Sequence, residues 1–275
     1  MKEKLYFIIC VKHFSNCHSY EFTWNLLKQT LYSVSGQNSN NFDIIIVSHQ
    51  TLDDFKTDPF IKNTHFIELD WEPISKKDQW QIGSQVSLKS GRGQVLIDKG
   101  SKYIIGLKKA LEIGAGKDSY VMFVDADDFI SNNLLSYIND NSNYDHFFIK
   151  KGFLLGANNS YTDLNNFGFY CGTCNITKLK TLCAGIKFSL IKGSRDSVIK
   201  STRDFWLKRI LGSHIPRSTY FLKKGLKVDF INMRLAVYNC SHNESHSGGK
   251  IKTYKKKVNK KMYEEFNIPE LNDKQ

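Results

Sequence analysis

The chain has 275 residues, 41% of them apolar and 24% charged, a globular composition with enough material for one large α/β domain or two small ones. Lysine and arginine outnumber aspartate and glutamate by 39 to 27, a formal +12, which favours anionic partners without naming one. No stretch reaches the roughly 18 to 20 continuous apolar residues that span a bilayer, and the short apolar start is broken by Lys12-His13, so it reads as a strand rather than a signal peptide and a cytoplasmic location is expected.

Leu5 to Val11 reads as the first strand. Phe22, Leu26, Leu27, Leu31 and Val34 recur at helical spacing from Glu21 to Val34, and Gly36 supplies the stop. Phe42 to Val47 is the second strand, so the default topology is a right-handed βαβ unit with a parallel sheet. His65 to Leu69 gives a short third strand, followed by a long stretch from Asp70 to Asp98 of no clean period. Helical spacing returns from Lys99 to Ile113 and leads, through the breaker Gly114 to Asp118, into the apolar run Tyr120 to Val124. Beyond it, Phe147 to Leu155 and Phe167 to Ile176 read as strands separated by an Asn-rich loop, Asn158 to Asn166. Phe205 to Leu211 and Tyr220 to Lys224 read as helices, and Val228 to Val237 as an extended run. The expected organisation is a single domain over residues 1–249, with halves of about 1–135 and 136–249, and a basic tail over 250–275.

In that tail, seven of the twelve residues from Lys250 to Lys261 are lysine. An anionic membrane surface or nucleic acid would suit it, and a solubilising, partly mobile tail is the plainer reading. The six cysteines, Cys10, Cys17, Cys171, Cys174, Cys183 and Cys240, do not form the dense framework of a small secreted protein. Cys171 and Cys174 have metal or redox spacing, but no second pair follows, and structural thiols are expected.

Asp125-Ala126-Asp127-Asp128 follows the apolar run Tyr120 to Val124 without a spacer. Ligands in α/β sheets bind beyond the carboxyl ends of the strands, and three carboxylates within four residues repel one another unless a hard cation such as Mg²⁺ or Mn²⁺ is near. Asp125 and Asp127, at alternate positions, point to one side of an extended segment. Capping of a helix that starts near Ser131 is the competing reading.

The order of elements and three motifs resemble the family 2 glycosyltransferases, enzymes of the GT-A fold that transfer a sugar from a nucleotide diphosphate donor. The resemblance spans roughly Leu5 to Ser247. Leu31-Tyr32-Ser33-Val34-Ser35-Gly36-Gln37 followed by Asp43 to Val47 is similar to that family's Ser-Val-x-x-Gln helix end and second strand. Lys99 to Lys102 leading into Gly106 to Ala110 is similar to its donor-side segment, and Tyr120 to Ile130 is similar to its Asp-Ala-Asp-Asp signature. The resemblance implies a Rossmann-like, mostly parallel central sheet with an acceptor-side lobe. It implies a nucleotide-sugar donor, most commonly a UDP-sugar, a glycan or lipid-linked acceptor, and Mn²⁺ or Mg²⁺ between carboxylates and diphosphate. Asp127 would then ligate the cation with Asp125 and His242; Asp125 would also lie near the donor nucleoside, and Asp128 would either support the cation's ligands from behind or add an acceptor-side contact. Lys99 or Lys102 would assist at the diphosphate.

Two segments depart from that family's pattern. The acidic pair usual after the second strand is replaced by Ser48-His49-Gln50, so base recognition falls to the hydroxyl of Ser48, the imidazole of His49 or the backbone. The acceptor-side Glu-Asp pair is replaced by Gly212-Ser213-His214 ahead of Ile215-Pro216-Arg217. An imidazole there can act as general base near neutral pH, or serve as an orienting donor, or have no role. His242, Asn243, Glu244 and His246 form a further polar loop, with His242 placed to complete metal coordination or touch diphosphate. Trp71 and Trp80 suit sugar faces and Arg92 suits phosphate or a carboxylated sugar, while Gly172, Thr173 and Asn175 fall on the segment similar to the acceptor side. The expected reaction is inverting transfer in surface polysaccharide synthesis, of capsule or lipopolysaccharide type. The competitors are a glycan or nucleic-acid binder without turnover and a sugar nucleotidyltransferase; the latter calls for a Gly-rich basic loop after the first strand, where this chain has Lys12-His13-Phe14-Ser15-Asn16.

Overall fold

The computed structural model describes residues 3–51, 55, 58, 63–73, 93–242 and 256–268. Four strands, β1 (Leu5–Cys10), β2 (Phe42–Ser48), β3 (Thr64–Glu68) and β4 (Tyr120–Asp125), pair in parallel in the order β3-β2-β1-β4. The near-continuous apolar runs of β1, β2 and β4 are those of strands buried on both faces, whereas the edge strand β3 is only half-buried. Leu5, Phe7 and Ile9 face one core with Trp24, Leu27, Leu31 and Val34 of the helix Tyr20–Ser35. The alternating Tyr6 and Ile8 face a second core with Tyr103, Ile104 and Leu107 of the helix Gly93–Glu112. Ser19 starts the first of these helices by accepting the Phe22 N–H.

The sheet continues past β4 with reversed polarity, which corrects the expectation of a mostly parallel sheet. β8 (Asn175–Lys178) is antiparallel to β4, and β6 (His146–Gly156) is antiparallel to β8 and to β7 (Ser160–Leu164). β9 (Val228–Asn239) runs parallel to β6 and pairs with the two-residue β5 (Phe129–Ile130). β6 and β7 are joined by a hairpin-length turn, whereas the antiparallel pairs of β8 with β4 and with β6 join segments further apart in sequence.

Three further expectations change. The Asn-rich loop Asn158 to Asn166 contains β7, whose Tyr161 and Leu164 are buried. The strand expected over Phe167 to Ile176 is a short helix, Phe167–Tyr170, and an irregular segment before β8; helical and extended readings of a short apolar run compete, and here the helix wins. The helix after the acidic run begins at Leu134, three residues beyond Ser131, and its preceding Asn133 makes no side-chain cap.

The basic segment is also ordered where it is described. Lys256–Lys257 forms β10 against β7, and the helix Lys260–Phe266 starts at Asn259, whose side chain accepts the Met262 N–H. Met262, Phe266 and Ile268 close a third core with Phe129, Leu155 and Val237. Among the described residues no helix is long and apolar enough to cross a membrane. Phe266 is fully enclosed, so Phe266→Ala is expected to lower unfolding free energy by about 3–4 kcal/mol; urea denaturation of the full chain would read it, and an unchanged midpoint would show this helix to be dispensable.

Candidate functional site at the carboxyl ends of the parallel strands

In the register of the sheet, Cys10 lies level with Val47 on one side and Asp125 on the other. The segments that leave β1, β2 and β4 therefore emerge together, bringing His13, His49 and the acidic run to one end of the sheet. The first helix holds the exit of the acidic run. Ser33 in the last turn of that helix and Gln37 just beyond its Gly36 cap bond the Ile130 backbone (3.1 Å and 2.8 Å), the Ser131 carbonyl (2.9 Å) and the Leu135 N–H (3.1 Å). That is the physical content of the Ser-Val-x-x-Gln pattern.

The three carboxylates of the acidic run have different surroundings. Asp125 pairs with Lys99 at 2.5 Å, and its N–H donates to Thr173 Oγ1 at 2.9 Å. Burial pushes its pKa up, but the Lys99 ammonium outweighs burial and holds it below the ordinary carboxylate range. A Cβ on Gly172 would come 2.5 Å from Asp125 Oδ2, so only glycine leaves the pair undisturbed. Asp127 reaches His242, Oδ2 to Nε2 at 3.3 Å, across more than a hundred residues of sequence. Asp128 is fully buried. It accepts from the Asn239 N–H on one oxygen (3.1 Å) and from Thr173 Oγ1 (2.5 Å) and Cys171 Sγ (3.0 Å) on the other. Burial, then the charges of Asp127 and Asp125, raise its pKa well above the usual value.

A neighbouring cavity is lined by Lys99, Tyr103, Gly172, Ser213, His214 and Arg217 among others. The His214 ring hydrogen-bonds the Phe169 backbone in a sense that favours protonation, so the partner is the carbonyl. Its Nε2 is enclosed without a hydrogen-bond partner among the described residues. With the other nitrogen donating, Nε2 carries the lone pair of the neutral ring. Burial and the Lys99 charge lower this imidazole to about 4. Asn175, buried in β8, donates to the His214 carbonyl at 3.4 Å and accepts from Ser218 Oγ at 3.3 Å. Arg217 is held by the carbonyls of Ile210, Leu211 and Ser213 beneath the π-helix Trp206–Leu211 and lies 4.9 Å from the Phe123 ring centroid.

Other expected residues make contacts of their own. Ser48 is buried and its hydroxyl meets Thr51 Oγ1 at 3.2 Å. Lys102 donates to the Val11 carbonyl (3.1 Å) and to Asp98 (2.8 Å), which fixes the turn after β1. Both His49 nitrogens are enclosed without a hydrogen-bond partner among the described residues, and the ring lies edge-on to His13 at 5.1 Å. Burial and the Lys102 charge lower His49 to about 4. Trp71 packs against the second core. Trp80, Arg92, Asn243, Glu244 and His246 lie outside the described residues. Cys171 and Cys174 are buried free thiols. The sequence reading passed over Cys171 as a partner of Asp128, Asn239, Arg217 and the buried His146; no local spacing signals contacts that the fold makes between distant segments.

Among the described residues no three His, Cys, Asp or Glu side chains converge as a complete metal cage. Mg²⁺-type sites need less, since one or two protein ligands plus substrate phosphate oxygens suffice. Asp127 and His242 offer an oxygen and a nitrogen at one point, and this pair fits such a cation. Asp125 is instead neutralised by Lys99.

No family model and no curated protein sequence matches the chain. Among solved structures, a nucleoside-diphosphate-sugar pyrophosphorylase from Vibrio cholerae RC9 is similar at TM-score 0.43 and 10% identity, over 85% of this chain and 92% of that one. An inositol-1-phosphate CTP transferase from T. maritima is similar at TM-score 0.40 and 9% identity, over 97% and 96%. A galactosyltransferase in complex with donor and acceptor sugar analogues is similar at TM-score 0.39 and 10% identity, over 89% and 92%. Likenesses of this size leave the chemistry to be read from the chain's own residues.

Two outcomes follow for stability. Asp128→Ala strands three buried donors and is expected to cost about 2–4 kcal/mol in urea unfolding. His49, His146 and His214 are lowered to about 4, 3 and 4, burial being the first cause in each, while the unfolded chain binds their protons near pH 6.5. Their contribution is complete above that pH and is lost as pH falls toward 4. The urea midpoint should therefore drop over this range, with a shallower slope in His146→Gln; equal slopes would refute the assignment.

Proposed function

We propose that the protein is a divalent-cation-dependent glycosyltransferase that uses a nucleotide diphosphate sugar, a UDP-sugar being the first donor to try, and delivers the sugar to a hydroxyl of a glycan or lipid-linked glycan in surface polysaccharide synthesis. The observation that carries this reading is the meeting of Asp127 with His242 at 3.3 Å, beside the carboxyl end of β4. A carboxylate and an imidazole converging there suit a divalent cation that accepts a nitrogen ligand beside oxygens, shared with a diphosphate. When bound, such a cation stabilises charge developing on the leaving diphosphate.

The chain's own groups supply the rest. Lys99, held at the site by Asp125, adds a fixed positive charge beside the departing phosphate side. His214 Nε2 accepts the proton of the acceptor hydroxyl as that oxygen bonds the anomeric carbon and the bond from that carbon to the diphosphate oxygen breaks. The lowered pKa keeps His214 neutral at pH 7, so its lone pair is available, at some loss of basicity. Asp128 acts from within the core by holding the acidic turn, and Ser48 and His49, at the end of β2, would read the nucleobase. The resulting reaction is inverting.

The decisive measurement is calorimetric titration of UDP-sugars and other nucleotide diphosphate sugars with and without Mn²⁺. Binding is expected to require the cation and to weaken at least about tenfold in Asp127→Asn and in His242→Ala. Donor binding that ignores Mn²⁺ and both substitutions would sink the proposal. His214→Ala should lower kcat by roughly 10²-fold or more with donor affinity retained; an unchanged kcat would remove it as the base.

A further inference from the structure

The short helix Phe167–Tyr170 turns one aromatic inward and two outward. Phe167 is fully buried, whereas Phe169 is 66% and Tyr170 is 41% exposed. Two close approaches fix this arrangement. A Cβ at Gly152 of β6 would collide with the Phe167 ring, and a Cβ at Gly168 would collide with the Phe148 ring, so the turn is clamped from both sides. Its backbone is tied by Phe169 N–H to the Asn166 carbonyl (3.0 Å) and Cys171 N–H to the Phe167 carbonyl (3.0 Å). Exposed aromatics on a fixed turn forgo the burial energy that such side chains usually gain. The two rings, with centroids 5.6 Å apart at 78° to each other, form a corner.

That corner adjoins the candidate site through the backbone. Phe169 is the hydrogen-bond partner of the His214 ring, Gly172 lies against Asp125, and Thr173 receives the Asp125 N–H. Ile215, next to His214 in sequence, is 48% exposed. An aromatic face beside polar groups is the surface that the apolar face of a pyranose ring fits. We infer that Phe169 and Tyr170 form a carbohydrate-binding corner that seats a neutral pyranose of the acceptor glycan next to His214. The inference rests on the proposed function for the word acceptor, but the binding of sugar at this corner is independent of donor and cation.

The test is saturation-transfer NMR and calorimetry of the full chain with cello-, chito-, manno- and galacto-oligosaccharides, without donor or metal. At least one is expected to bind. Phe169→Ala and Tyr170→Ala should each weaken it roughly tenfold with the thermal midpoint retained, and Phe169→Trp should preserve it. Asp127→Asn should bind the oligosaccharide as the parent does, so loss of donor binding and loss of sugar binding are separable. The inference is overturned if none of the four series binds, if both alanine variants bind undiminished, or if phosphatidylcholine–phosphatidylglycerol vesicles sediment the protein and Phe169→Ala abolishes that sedimentation, which would make the corner a membrane contact.

Discussion

The site depends on the buried carboxyl of Asp128. Its three donors come from two parts of the chain: Asn239 at the end of β9, and Cys171 and Thr173 in the segment before β8. Each of those parts also positions a group of the candidate site. Thr173 takes the Asp125 N–H, and Asn239 Oδ1 accepts from the N–H and hydroxyl of Ser241 (3.1 Å and 2.6 Å), the residue before His242. A carboxyl removed from water is costly unless its hydrogen bonds are complete, and completing them here ties together the segments that carry Asp125, Asp127 and His242.

Charge is distributed around that anchor so that each carboxylate has a separate answer to the same repulsion. Asp125 is balanced by Lys99, Asp127 faces an imidazole, and Asp128 has its pKa raised by burial and by its two neighbours. Lys99 thereby serves two groups at once, since the ammonium that lowers Asp125 also lowers His214. Moving Lys99 would therefore alter both the acidic run and the imidazole.

The parallel half was legible in the sequence because its signals are local. Apolar runs, the helical spacing from Phe22 to Val34 and the acidic run after Tyr120 to Val124 each report a structure within a few turns of themselves. His242 beside Asp127 was legible only through the family resemblance, and the pairing of Asp125 with Lys99 was not read at all. The antiparallel half was harder. β7 is a short strand among asparagines, and Phe167 to Ile176 is apolar because Phe167, Cys171, Cys174 and Ile176 enter the core from a helix, a loop and a strand in turn. Composition there reports burial and not backbone period.

The lysine pair of β10 has a meaning that net charge alone conceals. Lys256 and Lys257 add a two-residue strand to the outer side of β7, and their ammonium groups reach Asp163 and the Asn158 carbonyl, both at 2.7 Å. A bare strand edge offers unpaired backbone groups to any other chain, and short, lysine-bearing strands make poor templates. By capping the first two residues of β7 in this way the basic segment shortens the bare edge, so part of a charge excess that suggested an external anionic partner works inside the molecule.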